Sequence, residues 1–218
     1  MNRKLYNKLK PLLDYLLKRD TSIAHNLIRN KIYDRAFFEN ANEVKTSSAR
    51  KVAEIIFSYY NFQTVFDIGC GMGLYISELK KLGKDVLGCD ASKAAIQIKP
   101  KEIPIFLTDV TKPIFLDQRF DLVMCFEVAE HIKNVYSRQL VKNCTGFSDT
   151  VLFTAATVGQ GGVGHINEQP REFWCDLFRE CNFQYDMELS ENIKKEMRES
   201  DVVSWIANNF MSFSKVKT

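Results

Sequence analysis

From residue 64 onward, short apolar runs alternate with segments whose apolar residues recur every three or four positions. TVFDI (64–68), DVLGCD (85–90), IPIFLTD (103–109), RFDLVMCFEV (119–128) and DTVLFTAA (149–156) read as strands. Between and after them, LYISELKKLG (74–83), SKAAIQIK (92–99), AEHIKNVYSRQLVKNCTG (129–146) and REFWCDLFRECNF (171–183) read as helices. The alternation predicts a parallel sheet covered by helices on both faces. The tail departs from it: FQYDMELS (183–190) and NFMSFSKV (209–216) read as strands, and the segment 190–209 between them as one helix. Before residue 64, residues 3–19 and 22–28 have helical spacing, with Pro11 bending or starting the first. SSARKVAEIIFSYY (47–60) reads as a helix capped by Ser47 or Ser48, with Val52, Ile55, Ile56 and Tyr59 inward. The segment 32–42 has no clear period. Residues 1–46 are therefore expected to form a helical lid or cap, and residues 47–218 the main domain.

Composition narrows the class. The chain has 218 residues, 45% hydrophobic and 12% aromatic, enough for one core without staples. A net charge of +3, from 30 basic and 27 acidic residues, is too mild to point to a nucleic-acid binder. Six cysteines form no CxxC pair, and several sit in apolar runs, so a reducing, cytoplasmic setting is expected, without disulfides or a zinc site. The basic N-terminal segment is broken by charge and reads as neither signal peptide nor membrane span.

The chemistry concentrates where strands end. After TVFDI comes GCGMG, with glycines at 69, 71 and 73, and then a helix. Such a bend brings backbone close to a ligand, and the helix start offers N–H groups and a positive dipole end. GMGLYI lacks the Lys-Ser/Thr of a phosphate loop, and GxGxG is not the GxGxxG of a dinucleotide fold. Asp67 would repel a pyrophosphate but suits a cationic ligand with an amino-acid end. Asp90, ending the second strand, can accept from both hydroxyls of a ribose. Asp109 could accept from the exocyclic amine of adenine or cap a turn, and Val110 offers a backbone N–H. FEVAEH (126–131) ends the fourth strand at the ligand-binding edge of such sheets.

The set VFDIGCGMG (65–73), GCDAS (88–92), LTDV (107–110) and FDLVMCFEVAEHI (120–132) resembles the class I S-adenosylmethionine-dependent methyltransferases over about residues 64–185, and the tail fits the family's last helix and antiparallel strand. The resemblance implies a Rossmann-like sheet of seven mostly parallel strands, the last antiparallel. It implies S-adenosyl-L-methionine as cofactor and S-adenosyl-L-homocysteine as product. Asp67, Gly69, Cys70, Gly71 and Gly73 would pass under the methionine part, Asp90 with Ala91 would hold the ribose, Asp109 and Val110 would meet the adenine, and Glu127 would lie beside the donor.

The acceptor is left open by the resemblance, since this fold serves many acceptors. A small polar molecule methylated on a hydroxyl oxygen is the leading reading. The alternatives are N-methylation of a small molecule, peptide or RNA group, and a non-catalytic adenosyl- or partner-binding domain. FEVAEHI does not match the polar–Pro–Pro–aromatic motif of base-amine methylation. A hydroxyl acceptor calls for a base. His165 is the first candidate and His131 the second. His165 lies in TVGQGGVGHINEQP (157–170), a long loop rich in glycine and polar side chains. Gln160, Asn167, Gln169 and, from the lid, Tyr33 are candidate acceptor contacts; His165 and Asn167 could instead pin the loop's own backbone. Glu127, Glu130, His131 and His165 are the set that could converge on a metal, but with no HxH, HExxH or acidic pair no metal is expected.

Overall fold

The computed structural model describes residues 35–217, with side chains from residue 46. The expected helices at 3–19 and 22–28, Tyr33, and the side chains of the proposed lid lie outside the described residues. Helix α1 (Arg35–Tyr59) runs unbroken through residues 46 and 47. Ser48 is therefore no cap. Its buried hydroxyl accepts from the Val203 N–H at 3.1 Å, tying α1 to the C-terminal region.

The sheet forms as the short apolar runs predict. Strands β1 (Thr64–Ile68), β2 (Asp85–Asp90), β3 (Ile105–Leu107), β4 (Leu122–Phe126), β5 (Thr150–Thr154), β6 (Phe183–Tyr185) and β7 (Met211–Lys215) lie in the order β3-β2-β1-β4-β5-β7-β6 among the described residues. The pairs β1–β2, β1–β4, β2–β3 and β4–β5 are parallel; β7 is antiparallel to both β5 and β6. The strand order reverses between β1 and β4, which opens a crevice at their C-terminal ends.

Alternate side chains feed two cores. On one face Phe66, Ile68, Val123, Cys125, Val151 and Phe153 pack with α4 (Ser137–Phe147) and α5 (Arg171–Arg179). On the other, Val65, Leu122, Met124 and Leu152 pack with α1, α2 (Leu74–Lys81), α6 (Met187–Glu199) and α7 (Ser204–Asn209). Both faces are covered, so the strands read as near-continuous apolar runs. Gly88 in β2 is required by close approach: a Cβ there would lie 2.6 Å from Cys70 Sγ and 2.9 Å from Ile76 Cδ1.

Three local expectations are corrected. Residues 129–136 form two 3-10 turns, Ala129–His131 and Asn134–Tyr136, and helix begins only at Ser137. The tail helix is two helices, because Asp201 takes a left-handed φ of 54° between them. The sixth strand stops at Tyr185, where Asp186 caps α6 by accepting from Leu189 N–H at 3.0 Å. The short α3 (Lys93–Ile98) starts on Ser92, whose hydroxyl accepts from Ala95 N–H. All six cysteines are free. Among the described residues, no helix is long and apolar enough to cross a membrane.

Candidate active site

The bend after β1 is built from left-handed glycines: Gly69, Gly71 and Gly73 have φ of 78°, 58° and 82°. Such φ values favour glycine strongly. At Gly69 a Cβ would also lie 2.4 Å from a Val128 methyl, so the bend is pressed against the residues that follow β4. The N–H groups of Gly69 and Cys70 donate to Cys89 O at 2.8 and 3.0 Å, continuing the β1–β2 ladder into the turn. The Asp90 carboxylate clamps the bend from β2, accepting from Gly71 N–H at 2.8 Å and from Ser92 N–H at 2.7 Å. A carboxylate has about four acceptor positions, the kind of group that can take ligand hydroxyls.

Asp67 lies beneath this bend, 2% exposed, and its Oδ2 has no hydrogen-bond partner. Burial first, and the Asp90 charge second, push its pKa up to about 8. A buried carboxyl left short of a donor is costly to the apo fold and marks a place where a ligand donor or cation belongs.

At the C-terminal ends of β4 and β5 a second group of polar side chains gathers. Glu127 adopts a left-handed φ of 54°, held by its N–H to Thr154 Oγ1 at 2.9 Å. Its carboxylate accepts from Asn209 Nδ2 at 3.3 Å, and Asn209 also reaches Gln160 Oε1 at 3.0 Å. Glu130 is fully buried, and neither of its carboxylate oxygens has a hydrogen-bond partner. Burial, then the Glu127 charge, holds its pKa well above the usual carboxylate range, against a weaker downward pull from the Glu130 and Ala156 N–H groups, which approach without reaching hydrogen-bond geometry. The rings of His131 and His165 meet edge to face with centroids 5.0 Å apart. One ligating atom from each of Glu130, His131 and His165 falls within 4.8 Å of the others.

Each imidazole is oriented from behind. His131 Nδ1 lies 3.3 Å from Gly164 O, so a neutral ring donates there and carries its lone pair on Nε2. His165 Nδ1 lies 2.9 Å from Glu168 Oε1. Glu168 in turn accepts from the N–H groups of Gly159 and Gly161 at 2.9 and 2.6 Å. Its pKa lies below the ordinary value: burial raises it, but the His165 bond and the two backbone donors outweigh that effect together. Gly162 lies flat against the His165 ring, where a Cβ would come within 2.2 Å of Nε2.

Comparison with known proteins places this arrangement. A family model described as a methyltransferase domain matches residues 66–146. Among solved structures, the S-adenosylmethionine-bound amino pentose methyltransferase CalS10 from Micromonospora echinaspora superimposes with a TM-score of 0.63 at 12% identity, over 83% of this chain and 95% of that one. The sugar N-methyltransferase KedS8 from Streptoalloteichus sp. gives 0.62 at 12% identity, over 84% and 92%. The chain has the class I S-adenosylmethionine-dependent methyltransferase fold. By sequence, a ubiquinone biosynthesis O-methyltransferase of Coxiella burnetii (strain RSA 331 / Henzerling II) is 26% identical over 159 residues, covering 65% of this chain. The chain spans 60% of that relative's length.

Within this methyltransferase fold, the residues expected from sequence separate into two groups. Asp67, Gly69, Cys70, Gly71, Gly73, Asp90 and Ala91 come together at the β1 and β2 ends, and His131 and His165 meet beside Glu130. Three others are held by local or loop contacts. Asp109 Oδ1 accepts from Thr111 N–H at 3.1 Å and Thr111 Oγ1 at 2.7 Å, which is a turn cap. Val110 is buried, and its carbonyl accepts from Asn143 Nδ2. Gln160 accepts from Thr157 N–H and Asn209.

Asn167 is turned into the loop's own bonding. It is 2% exposed, donates to Ala129 O and Ser137 Oγ at 3.0 Å each, and accepts from Gln169 Nε2 at 2.9 Å. Its polar side chain stitches the loop to the turn after β4 and engages one N–H of the Gln169 amide.

Residues that sequence reasoning missed are Thr154, Asn209 and Tyr75. Tyr75 stands edge-on to Phe126 at 5.4 Å, and burial together with the Glu127 and Asp67 charges raises its pKa. All three sit in ordinary strand or helix context, with no local signal.

Proposed function

We propose that the chain transfers a methyl group from S-adenosyl-L-methionine to a hydroxyl oxygen of a small polar molecule. The observation that carries the cofactor reading is the buried Asp67 carboxyl with an unpartnered oxygen, under a left-handed glycine bend clamped by Asp90. These residues fit the cofactor's chemistry. When bound, S-adenosyl-L-methionine supplies a sulfonium methyl with its own leaving group.

The chain's residues do the rest. Asp67 receives the ammonium of the amino-acid end, directly or through water, and its ionised form is then favoured by the adjacent cation. Asp90 keeps its two backbone donors and accepts from the ribose hydroxyls. Val110 N–H and Asp109 flank the adenine side. Glu127 borders the donor, with Asn209 fixing its carboxylate. Glu130, His131 and His165 form the polar wall where the acceptor hydroxyl is held and made more nucleophilic. Fixing donor and acceptor in line supplies most of the acceleration, up to roughly 7–11 kcal/mol. Oxygen as the acceptor atom is supported by the relation to the Coxiella O-methyltransferase and by the imidazole pair, which an amine would not need.

The test is incubation of the protein with methyl-labelled cofactor and fractionated small-molecule and RNA extracts. Label is expected in a small-molecule fraction, as an alkali-stable ether. Tight cofactor binding without transfer to any fraction refutes the enzymatic reading, and label confined to amines refutes oxygen.

A further inference from the structure

We propose that Glu130, His131 and His165 hold a divalent first-row transition-metal ion at the acceptor side of the site. Three independent features lead there. One donor atom from each residue lies within 4.8 Å of the others. Donors around one such ion sit roughly 3–4 Å apart, so side-chain adjustments of about an ångström close the set. Second, the Glu130 carboxyl is fully buried and neither oxygen makes a hydrogen bond, so a donor or cation is missing there.

Third, the imidazoles are arranged as ligands. Gly164 O holds His131 at Nδ1, and the Glu168 carboxylate holds His165 at Nδ1. In each neutral ring this directs the lone pair to Nε2. A carboxylate or carbonyl behind an imidazole is the usual support of a metal-bound histidine, fixing its tautomer and raising its basicity. Glu168 is itself fixed by two backbone N–H groups, so the support is rigid.

Two imidazoles and one carboxylate favour ions such as Mn2+, Fe2+, Co2+ or Zn2+ over Ca2+ and Mg2+, which prefer oxygen donors. Three protein ligands leave coordination positions open. This deepens the methyl-transfer reading and rests on it for its catalytic meaning: a hydroxyl bound at an open position loses its proton to solvent more readily, and its oxygen is held for attack. The ion binding itself stands apart from that reading.

The experiment is calorimetric titration of the chelator-stripped full chain with MnCl2, CoCl2 and ZnCl2 separately, and in parallel with S-adenosylhomocysteine. One ion per chain is expected, with Co2+ showing ligand-field absorption in the visible. Glu130→Gln and His165→Asn should each weaken binding more than tenfold while leaving S-adenosylhomocysteine affinity unchanged, which shows that the variants are folded. Glu168→Gln should weaken it by roughly 10–100-fold by freeing the His165 ring. No stoichiometric binding of any of the three ions, or binding of equal strength in Glu130→Gln and His165→Asn, overturns the proposal. If S-adenosylhomocysteine binds while no ion does, the metal site fails and the cofactor reading survives. If the ion binds while S-adenosylhomocysteine does not, the reverse holds.

Discussion

Replacing Asp67 by asparagine should remove a pH dependence of stability that the folded chain carries at the glycine bend. The folded pKa of Asp67 is about 8, against 3.8 for an unperturbed aspartate. Between these values the folded chain holds a proton that the unfolded chain has lost, so stability falls as pH rises. The stabilising contribution is fully present below pH 3.8 and is lost as pH passes through 8. The slope for one proton is about 1.4 kcal/mol per pH unit, giving a loss of roughly 3–4 kcal/mol between pH 5 and pH 8. Asparagine stays neutral and lacks this slope. Urea unfolding of the ligand-free wild type and Asp67→Asn at pH 5, 6, 7 and 8 measures the difference directly. Glu130, also buried, adds its own slope to both proteins and cancels in the comparison. The variant should gain on the wild type steadily toward pH 8. Parallel stability curves would refute the picture of a carboxyl kept neutral by burial.

Gly69→Ala should lower stability by about 2–4 kcal/mol in thermal unfolding, from a left-handed φ and a Cβ 2.4 Å from a Val128 methyl; an additional Val128→Ala should return part of it. Asp90→Ala should remain folded yet bind S-adenosylhomocysteine about a hundredfold more weakly, the loss expected for two hydrogen bonds to a charged acceptor; unchanged affinity in calorimetry removes the ribose assignment. Gly162→Ala forces a Cβ into the His165 ring, so turnover should fall more than tenfold with cofactor affinity intact, and equal turnover would show that the ring position is unimportant.

The parts of the molecule legible in the sequence are those fixed by neighbours in the chain. Strands β1, β2, β4 and β5 show as apolar runs because both faces of each are covered, and the bend shows because left-handed backbone selects glycine at 69, 71 and 73. Asp67 and Asp90 stand out in the sequence as acids at or beside the end of an apolar strand. Features set by distant partners were not readable. The tail at 190–209 keeps a helical pattern across Asp201, yet the chain turns there to send α7 back against β5. Asn167 looks like a ligand contact among glycines, but its partners Ala129 and Ser137 are 38 and 30 residues away. The ion-binding cluster shows no sequence motif because Glu130 and His131 follow β4 while His165 arrives from the loop after β5.

One carbonyl limits how the roof of this site can open. Ile166 and Asn167 both donate their N–H groups to Glu130 O, at 2.8 and 3.1 Å, so the downstream half of the roof is anchored to the floor. An acceptor that needs room gains it only at residues 157–164, where Val158 is exposed and Gly159, Gly161 and Gly164 all have positive φ. A change of acceptor preference in relatives of this chain would accordingly be written in that short arc, and would shift the imidazoles as well, because Gly159, Gly161 and Gly164 carry their supports.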